Sequence, residues 1–205
     1  AVSFKADEEI FKEGTVYNFE TLYNRIRQMA FLNKGIRLTF NWNKEDEHKG
    51  TYSFCYEGGI KEYIKFLNEN EARIFEDILY CEGEDSETSI IVEAALQYNT
   101  SYTEKTYAFC NNILTPDGGT HLDGFRQTLA RVINAYAKDK NLIKENDEPI
   151  RQDDLKEGLT AIISVKHPDP QYEGQTKGKL GNAEVKPVVN KIFGEYLKRY
   201  LLENP

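Results

Sequence analysis

The stretch Thr120-His-Leu-Asp-Gly-Phe-Arg-Gln-Thr-Leu-Ala-Arg-Val-Ile-Asn-Ala-Tyr136, followed beyond a polar loop by Leu159-Thr-Ala-Ile-Ile-Ser-Val165, carries the fold class. In the first segment Leu122, Phe125, Leu129, Val132, Ile133 and Tyr136 recur at three- and four-residue steps, the period of one helix face. Thr120 and Asp123 give it a capping-box-like start, and Lys138 and Lys140 sit where a helix C-terminus prefers cations. The second segment is a strand-length apolar run, and Pro168 and Pro170 keep the chain after it extended and off the sheet. Strands clustered around a long helix predict an α+β domain, a mixed sheet backed by helices.

Upstream, Phe19, Leu22, Ile26, Met29 and Ala30 predict a helix over 18–32, stopped by Asn33-Lys-Gly35. Ile36–Trp42 and Thr51–Tyr56 alternate and predict a hairpin across the polar linker from Asn43 to Gly50. Ile60, Tyr63, Ile64 and Leu67 mark a short helix after Gly58-Gly59. A weak strand is expected over Ile74–Cys81. Two better ones, Ser89–Tyr98 and Thr106–Ile113, read as a second hairpin closed by Asn99-Thr-Ser-Tyr-Thr-Glu104 and ended by Pro116-Asp-Gly-Gly119. Asp153–Glu157 predicts one helical turn, and Val188, Val189, Ile192, Phe193, Tyr196, Leu197, Tyr200 and Leu201 a second long helix from Glu184. Residues 1–11 read as the tail of a strand and a turn. Boundaries are expected near residues 15 and 183.

The 205 residues form one large domain, or one domain plus an appendage. No apolar run approaches a membrane span, and the mean hydropathy is -0.64. With 26 Lys+Arg against 34 Asp+Glu, the net charge is -8, which disfavours strong nucleic-acid binding by this piece alone. Cys55, Cys81 and Cys110 are odd in number and widely spaced, and read as small core residues of a reducing compartment, the cytoplasm. The opening Ala1-Val-Ser-Phe-Lys5, without Met or signal peptide, reads as part of something longer.

Catalytic patterns are sparse. His48 lies in a charged turn, His121 at a helix start, where it serves an anion or a neighbouring strand, and His167 at a strand end; none shares metal-ligand spacing with another. The paired carboxylates (Glu8-Glu9, Glu82 to Asp85, Asp153-Asp154) read as solvated faces, and there is no G-x-S-x-G elbow. Gly174-Gln-Thr-Lys-Gly-Lys-Leu-Gly181 interleaves glycines with lysines. It is not a phosphate loop of the Walker type, since only three residues separate Gly174 from Gly178 and Leu180 replaces the metal-binding hydroxyl. It offers two mobile ammonium groups, Lys177 and Lys179, and one amide, Gln175, suited to a terminal phosphate. A solvated loop is the alternative.

Three motifs, in order, carry a resemblance: Gly118-Gly-Thr-His-Leu-Asp-Gly-Phe-Arg126, Glu157-Gly-Leu-Thr-Ala-Ile-Ile-Ser-Val-Lys166, and Glu173-Gly-Gln-Thr-Lys177 with Lys179-Leu-Gly-Asn182. They resemble the second, transducer domain of the B subunit of bacterial DNA gyrase, in the type IIA topoisomerase family. The B-type subunit of topoisomerase IV shares the architecture, but Gln97-Tyr-Asn99 and Asn111-Asn112 look more like gyrase. The resemblance implies a fold similar to the second domain of ribosomal protein S5. It implies that residues 1–14 end an upstream ATPase domain, 15–183 form the transducer domain, and 184–205, closing on Leu202-Glu-Asn-Pro205, form an exit helix toward the cleavage region.

The resemblance also implies a role: coupling ATP binding and hydrolysis next door to DNA strand passage and negative supercoiling. Gln175 and Lys177 would contact the γ-phosphate of ATP held mainly by the upstream domain, with Mg2+ in the full-length enzyme and no metal site in this piece. Gly178 replaces a bulkier polar residue frequent in the family, which predicts extra loop freedom. The ATPase acid, the adenine-reading Asp, the glycine-rich lid and the cleavage residues all lie outside the chain, so the piece alone is expected to be inactive. Partners implied are DNA, the gyrase A subunit and a second copy of the gyrase B chain in an A2B2 enzyme. Arg126, Arg131, Lys138 and Lys140 are candidates for lining a DNA cavity, with a solvated helix face as the alternative. A non-catalytic nucleic-acid-binding module of the same fold is the competing functional class.

Overall fold

The structure is a computed structural model and describes residues 1–144 and 146–204; Glu145 of the polar loop and Pro205, the last residue of the exit-helix motif, lie outside them. The chain divides into two compact units, Ala1–Gly59 and Ile60–Pro205.

In the first unit α1 (Phe19–Leu32) is capped by Asn18, whose side-chain oxygen accepts from Thr21 N at 2.9 Å. Antiparallel β1 (Leu38–Trp42) and β2 (Gly50–Phe54) pair with Trp42 opposite Gly50. Asp46 closes the linker by accepting from Trp42 Nε1 and from His48 N, each at 3.0 Å. The unit's core is aromatic: Phe19, Phe40, Trp42 and Phe54, with Tyr23 and Tyr52 against them. The strand expected at the start of the chain is absent. Val2 and Phe4 are exposed and no strand among the described residues pairs with them, so a backbone that reads as a strand lacks an edge to complete it.

The second unit runs α2 (Ile60–Leu67), β3 (Leu79–Asp85), β4 (Ile90–Tyr98), β5 (Lys105–Cys110), β6 (Ile113–Leu114), α3 (Thr120–Asp139), β7 (Leu159–Lys166), β8 (Tyr172–Glu173), β9 (Lys179–Leu180) and α4 (Val185–Glu203). Five strands form one mixed sheet in the order β3-β4-β7-β5-β6. This is the expected α+β architecture, with one pairing corrected. β4 and β5 are not a hairpin: β7 lies between them, antiparallel to β4 and parallel to β5. Seven consecutive residues of β7, Leu159–Val165, are buried, and only a strand flanked on both sides and covered on both faces accommodates such a run.

The weak strand is displaced as well. β3 starts at Leu79, not Ile74, and runs through the acidic stretch to Asp85, pairing Leu79 with Leu96 and Asp85 with Ile90. This register buries Leu79 and Cys81 and leaves Glu82 exposed on an edge strand. Asp85 closes the turn to β4 by accepting from Thr88 N at 3.1 Å and Thr88 Oγ1 at 2.8 Å, bonds that hold its carboxyl below the usual range.

Alternate residues of β4 and β7 pack against Phe125, Leu129 and Val132 of α3 and Val189, Phe193 and Leu197 of α4. Phe125 and Phe193 stack with ring centroids 4.6 Å apart. Successive contacts run in the same direction along both helices: Gly124 meets Lys186 and Val189, and Gly194 meets Thr128 and Arg131. The helices are therefore parallel and start at the same end of the unit. α2 covers the other face, against β4 and β7. There a buried polar cluster ties distant elements together. Asn68 donates to Gln97 at 3.0 Å, and its oxygen accepts from Asn99 at 3.1 Å and from Thr160 Oγ1 at 2.7 Å.

Candidate functional site

The Gln175/Lys177 segment is the loop of a small antiparallel hairpin, β8 and β9, in which Tyr172 pairs with Leu180 and Glu173 with Lys179. Two residues turn the chain through positive φ, Gly174 at 77° and Lys177 at 56°. Within the tip one backbone bond, Lys177 N to Gly174 O at 3.4 Å, is formed, and Gln175, Thr176 and Lys177 are exposed.

The two ammonium groups differ. Lys179 donates to Glu173 Oε2 at 3.1 Å across the hairpin, so its charge is locally offset. Lys177 makes no ion pair among the described residues, and its Nζ lies 5.7 Å from the centre of the Tyr172 ring. The Tyr172 hydroxyl donates to Cys110 O at 3.0 Å, and burial, followed by the contacts with Cys110, pushes its phenol pKa up. Tyr172 thus presents one face to the loop while its far end is fastened to the main sheet.

The hairpin base is fixed. Asp117 N donates to Gly178 O at 2.9 Å, and Leu180 N to Gly118 O at 3.1 Å, on either side of a parallel bridge between Gly119 and Leu180. Leu180 is fully buried in the main core. Asn182 closes the far side: its Oδ1 accepts from Gln171 N at 2.6 Å and its Nδ2 donates to Asp169 O and Glu184 Oε1. Glu184 immediately precedes α4, and its own backbone N–H, followed by the Asn182 amide, holds its carboxyl below the usual range. Gly178 is not a source of freedom. It is buried, and a Cβ there would lie 2.4 Å from Asp117 Oδ2, so its role is close approach.

Each histidine is structural. His48 stacks on Phe19 at 4.2 Å between ring centroids. His167 accepts from Asp169 N at 3.0 Å on Nδ1, so Nε2 carries the proton it gives to Glu184 at 3.1 Å. His121, fully buried, meets the hydroxyl of Thr115, the residue after β6, at 3.1 Å, which fastens the start of α3 to the end of that strand. Thr120 is the first residue of α3 rather than its cap. Gly119 occupies the cap position and makes no side-chain bond. Cys81 and Cys110 are buried, and burial pushes the Cys81 thiol up to about 12 and raises that of Cys110.

The four basic residues of the α3 segment separate. Arg126 is half-buried and donates to Glu104 Oε1 at 2.6 Å, whereas Arg131, Lys138 and Lys140 are exposed. No group of three His, Cys, Asp or Glu side chains suited to a metal occurs among the described residues, and no helix among them is long and apolar enough to cross a membrane. Tyr172, Asp117 and Gly119 join the site without having been singled out from sequence. Asn182 and Gly119 lie inside the three motifs, and Tyr172 precedes one, but their contacts span the fold.

A family model described as DNA gyrase B matches residues 59–205. The DNA gyrase B chain of Staphylococcus epidermidis is 50% identical over all 205 residues, and that of Staphylococcus aureus strain MRSA252 is 50% identical over 204. The chain spans 31% of the length of each of these relatives. Among solved structures, the 43K ATPase domain of Thermus thermophilus gyrase B, in complex with an aminocoumarin, superposes with a TM-score of 0.79 at 35% identity, over 97% of this chain and 52% of that one. The topoisomerase IV ATP-binding domain of Francisella tularensis follows at 0.76 and 26% identity, over 94% of this chain and 50% of that one. With the family model matched across the second unit and half of the residues identical to those of these relatives over the whole chain, the chain belongs to the DNA gyrase B family.

Proposed function

We propose that the chain is the transducer region of a type IIA DNA topoisomerase of the gyrase type, within its ATP-binding B chain. In this reading residues 1–14 end the upstream ATPase domain, 15–183 are the transducer, and 184–205 lead toward the cleavage region. The observation that carries it is Lys177: a cation without an ion-pair partner among the described residues, at the exposed tip of a hairpin whose base is hydrogen-bonded to the core. The donor set fits a terminal phosphate, since Lys177 offers a compact, mobile charge and Gln175 an amide two residues away. ATP bound with Mg2+ in the upstream domain supplies the γ-phosphate. Lys177 and Gln175 then hold that group, and lose their partner when it leaves. A group that bonds in one nucleotide state and not in the other shifts a two-state equilibrium. The output is DNA strand passage, performed in the cytoplasm with the gyrase A subunit and a second copy of the gyrase B chain. The chain by itself lacks the ATPase and cleavage residues.

Of the basic residues, exposed Arg131, Lys138 and Lys140 suit a DNA cavity. The pairing of Arg126 with Glu104 supports a structural role for that side chain. The decisive experiment is Lys177→Ala in the full-length protein reconstituted with the gyrase A subunit. Loss of supercoiling and of most ATP turnover, with ADP affinity within about twofold of wild type, is the expected result. Unchanged ATP turnover removes the γ-phosphate role.

A further inference from the structure

The hairpin that carries Lys177 is bonded to the residues that open α3. Asp117, Gly118 and Gly119 form the turn before α3, and Gly119 O accepts from Asp123 N at 3.0 Å, a bond of the first helical turn. The same three residues receive the hairpin through Asp117 N to Gly178 O, Gly118 O from Leu180 N, and the Gly119–Leu180 bridge. The approach is too close for any side chain. A Cβ on Gly119 would lie 2.3 Å from Leu180 O and 2.5 Å from Leu180 N, and the φ of Gly119 is 132°. Those obstacles are backbone, so no rotamer change relieves them. The tip is tied by one long backbone bond, while the base is tied to α3 and filled by fully buried Leu180. The base, not the tip, is therefore the part of the hairpin held rigidly against the α3 N-terminus.

Building on the γ-phosphate reading, we propose that the Asp117–Gly119 turn is the seat through which the Gln175/Lys177 hairpin drives α3. Gly119 is the positioning residue that keeps this seat closed. α4 receives the same displacement, because Gly124 on the first turns of α3 touches Lys186 of α4, where a Cβ would stand 3.0 Å from its carbonyl oxygen. Two parallel helices in glycine contact at their starts move as a pair.

Hydrogen–deuterium exchange on the full-length protein, with and without a non-hydrolysable ATP analogue, tests this. The seat predicts that the analogue slows exchange at the amides of residues 179–180 and, in parallel, at those of 120–124, each by at least threefold, and that Lys177→Ala abolishes both changes. Protection at the hairpin without any change at 120–124 overturns the seat and leaves the γ-phosphate reading standing. No change at either place overturns both. Gly119→Ala supplies a second readout in the reconstituted enzyme: supercoils introduced per ATP fall at least threefold while analogue affinity stays within about twofold. Retention of full coupling by a folded Gly119→Ala protein also overturns the proposal. Where Gly119→Ala fails to fold, the wild-type exchange data decide alone.

Discussion

His121 sits at the start of α3 with no exposed surface, and its surroundings fix its proton. Thr115 Oγ1 gives its single hydrogen to Ala108 O at 3.0 Å, so the 3.1 Å contact with His121 Nε2 needs the ring as donor. Nδ1 is then an unprotonated nitrogen, buried and without a partner. A second proton there would be a buried charge with nothing to receive it, and burial pushes the pKa down from 6.5 to about 4. The unfolded chain takes up a proton as pH falls below about 6.5, whereas the folded chain does not until about 4. The stability this histidine contributes is therefore complete above pH 6.5 and lost between 6.5 and 4, with a size of about 3 kcal/mol. Urea unfolding at pH 7 and pH 4.5 measures it, with His121→Gln as reference. The wild-type midpoint should fall more steeply on acidification than the variant's. Equal slopes would show that the ring titrates normally in the folded state.

At the scale of elements, the α3–α4 pair rests on glycines that let two backbones approach. An exposed mid-helix Gly→Ala change adds roughly 1 kcal/mol of helix propensity. Gly124 is buried, with Lys186 O 3.0 Å and Val189 Cβ 3.2 Å from the position a methyl would take. Overpacking of that kind costs about 1–3 kcal/mol, so Gly124→Ala is expected to be destabilising by about 1 kcal/mol net, read from denaturant midpoints at unchanged slope. A stabilised variant would mean that the helices separate freely. Periodicity and an unbroken apolar run made these elements legible from sequence: the stripe Leu122, Phe125, Leu129, Val132 locates α3, and the run Leu159–Val165 locates β7, because both are local patterns. Partner choice was not legible. β4 and β5 look like neighbours along the chain, and the strand that separates them arrives only at Leu159. The same reason hid the hairpin seat. Gly119 and Gly178 read as loop glycines until the fold sets Leu180 against one and Asp117 against the other.

In the whole molecule a net charge of -8 constrains the proposed contact with DNA. Uniform acidity repels a polyanion, so contact requires a local surface of opposite sign. The candidates for one are Arg131, Lys138 and Lys140 on α3 and just beyond it and Lys198 and Arg199 on α4, all exposed, with exposed Asp139, Glu195 and Glu203 interspersed along the same segments. Lys191, in the same helix, is partly committed to Asp85 at 3.4 Å, and Arg126 to Glu104. Each cation that truly neutralises a phosphate contributes about 0.9 to the slope of log affinity against log salt. Replacing Arg131, Lys138 and Lys140 together by Ala in the reconstituted enzyme should therefore flatten that slope by up to about 2.7. DNA-independent ATP turnover should stay within about twofold, because none of the three touches the hairpin or its seat. An unchanged slope would assign these side chains to a solvated helix face and move the search for the DNA surface off α3. A flattened slope with intact basal turnover would place DNA contact and nucleotide sensing on separate parts of one unit, the first on the middle and end of α3 and the second on the hairpin seated at its start.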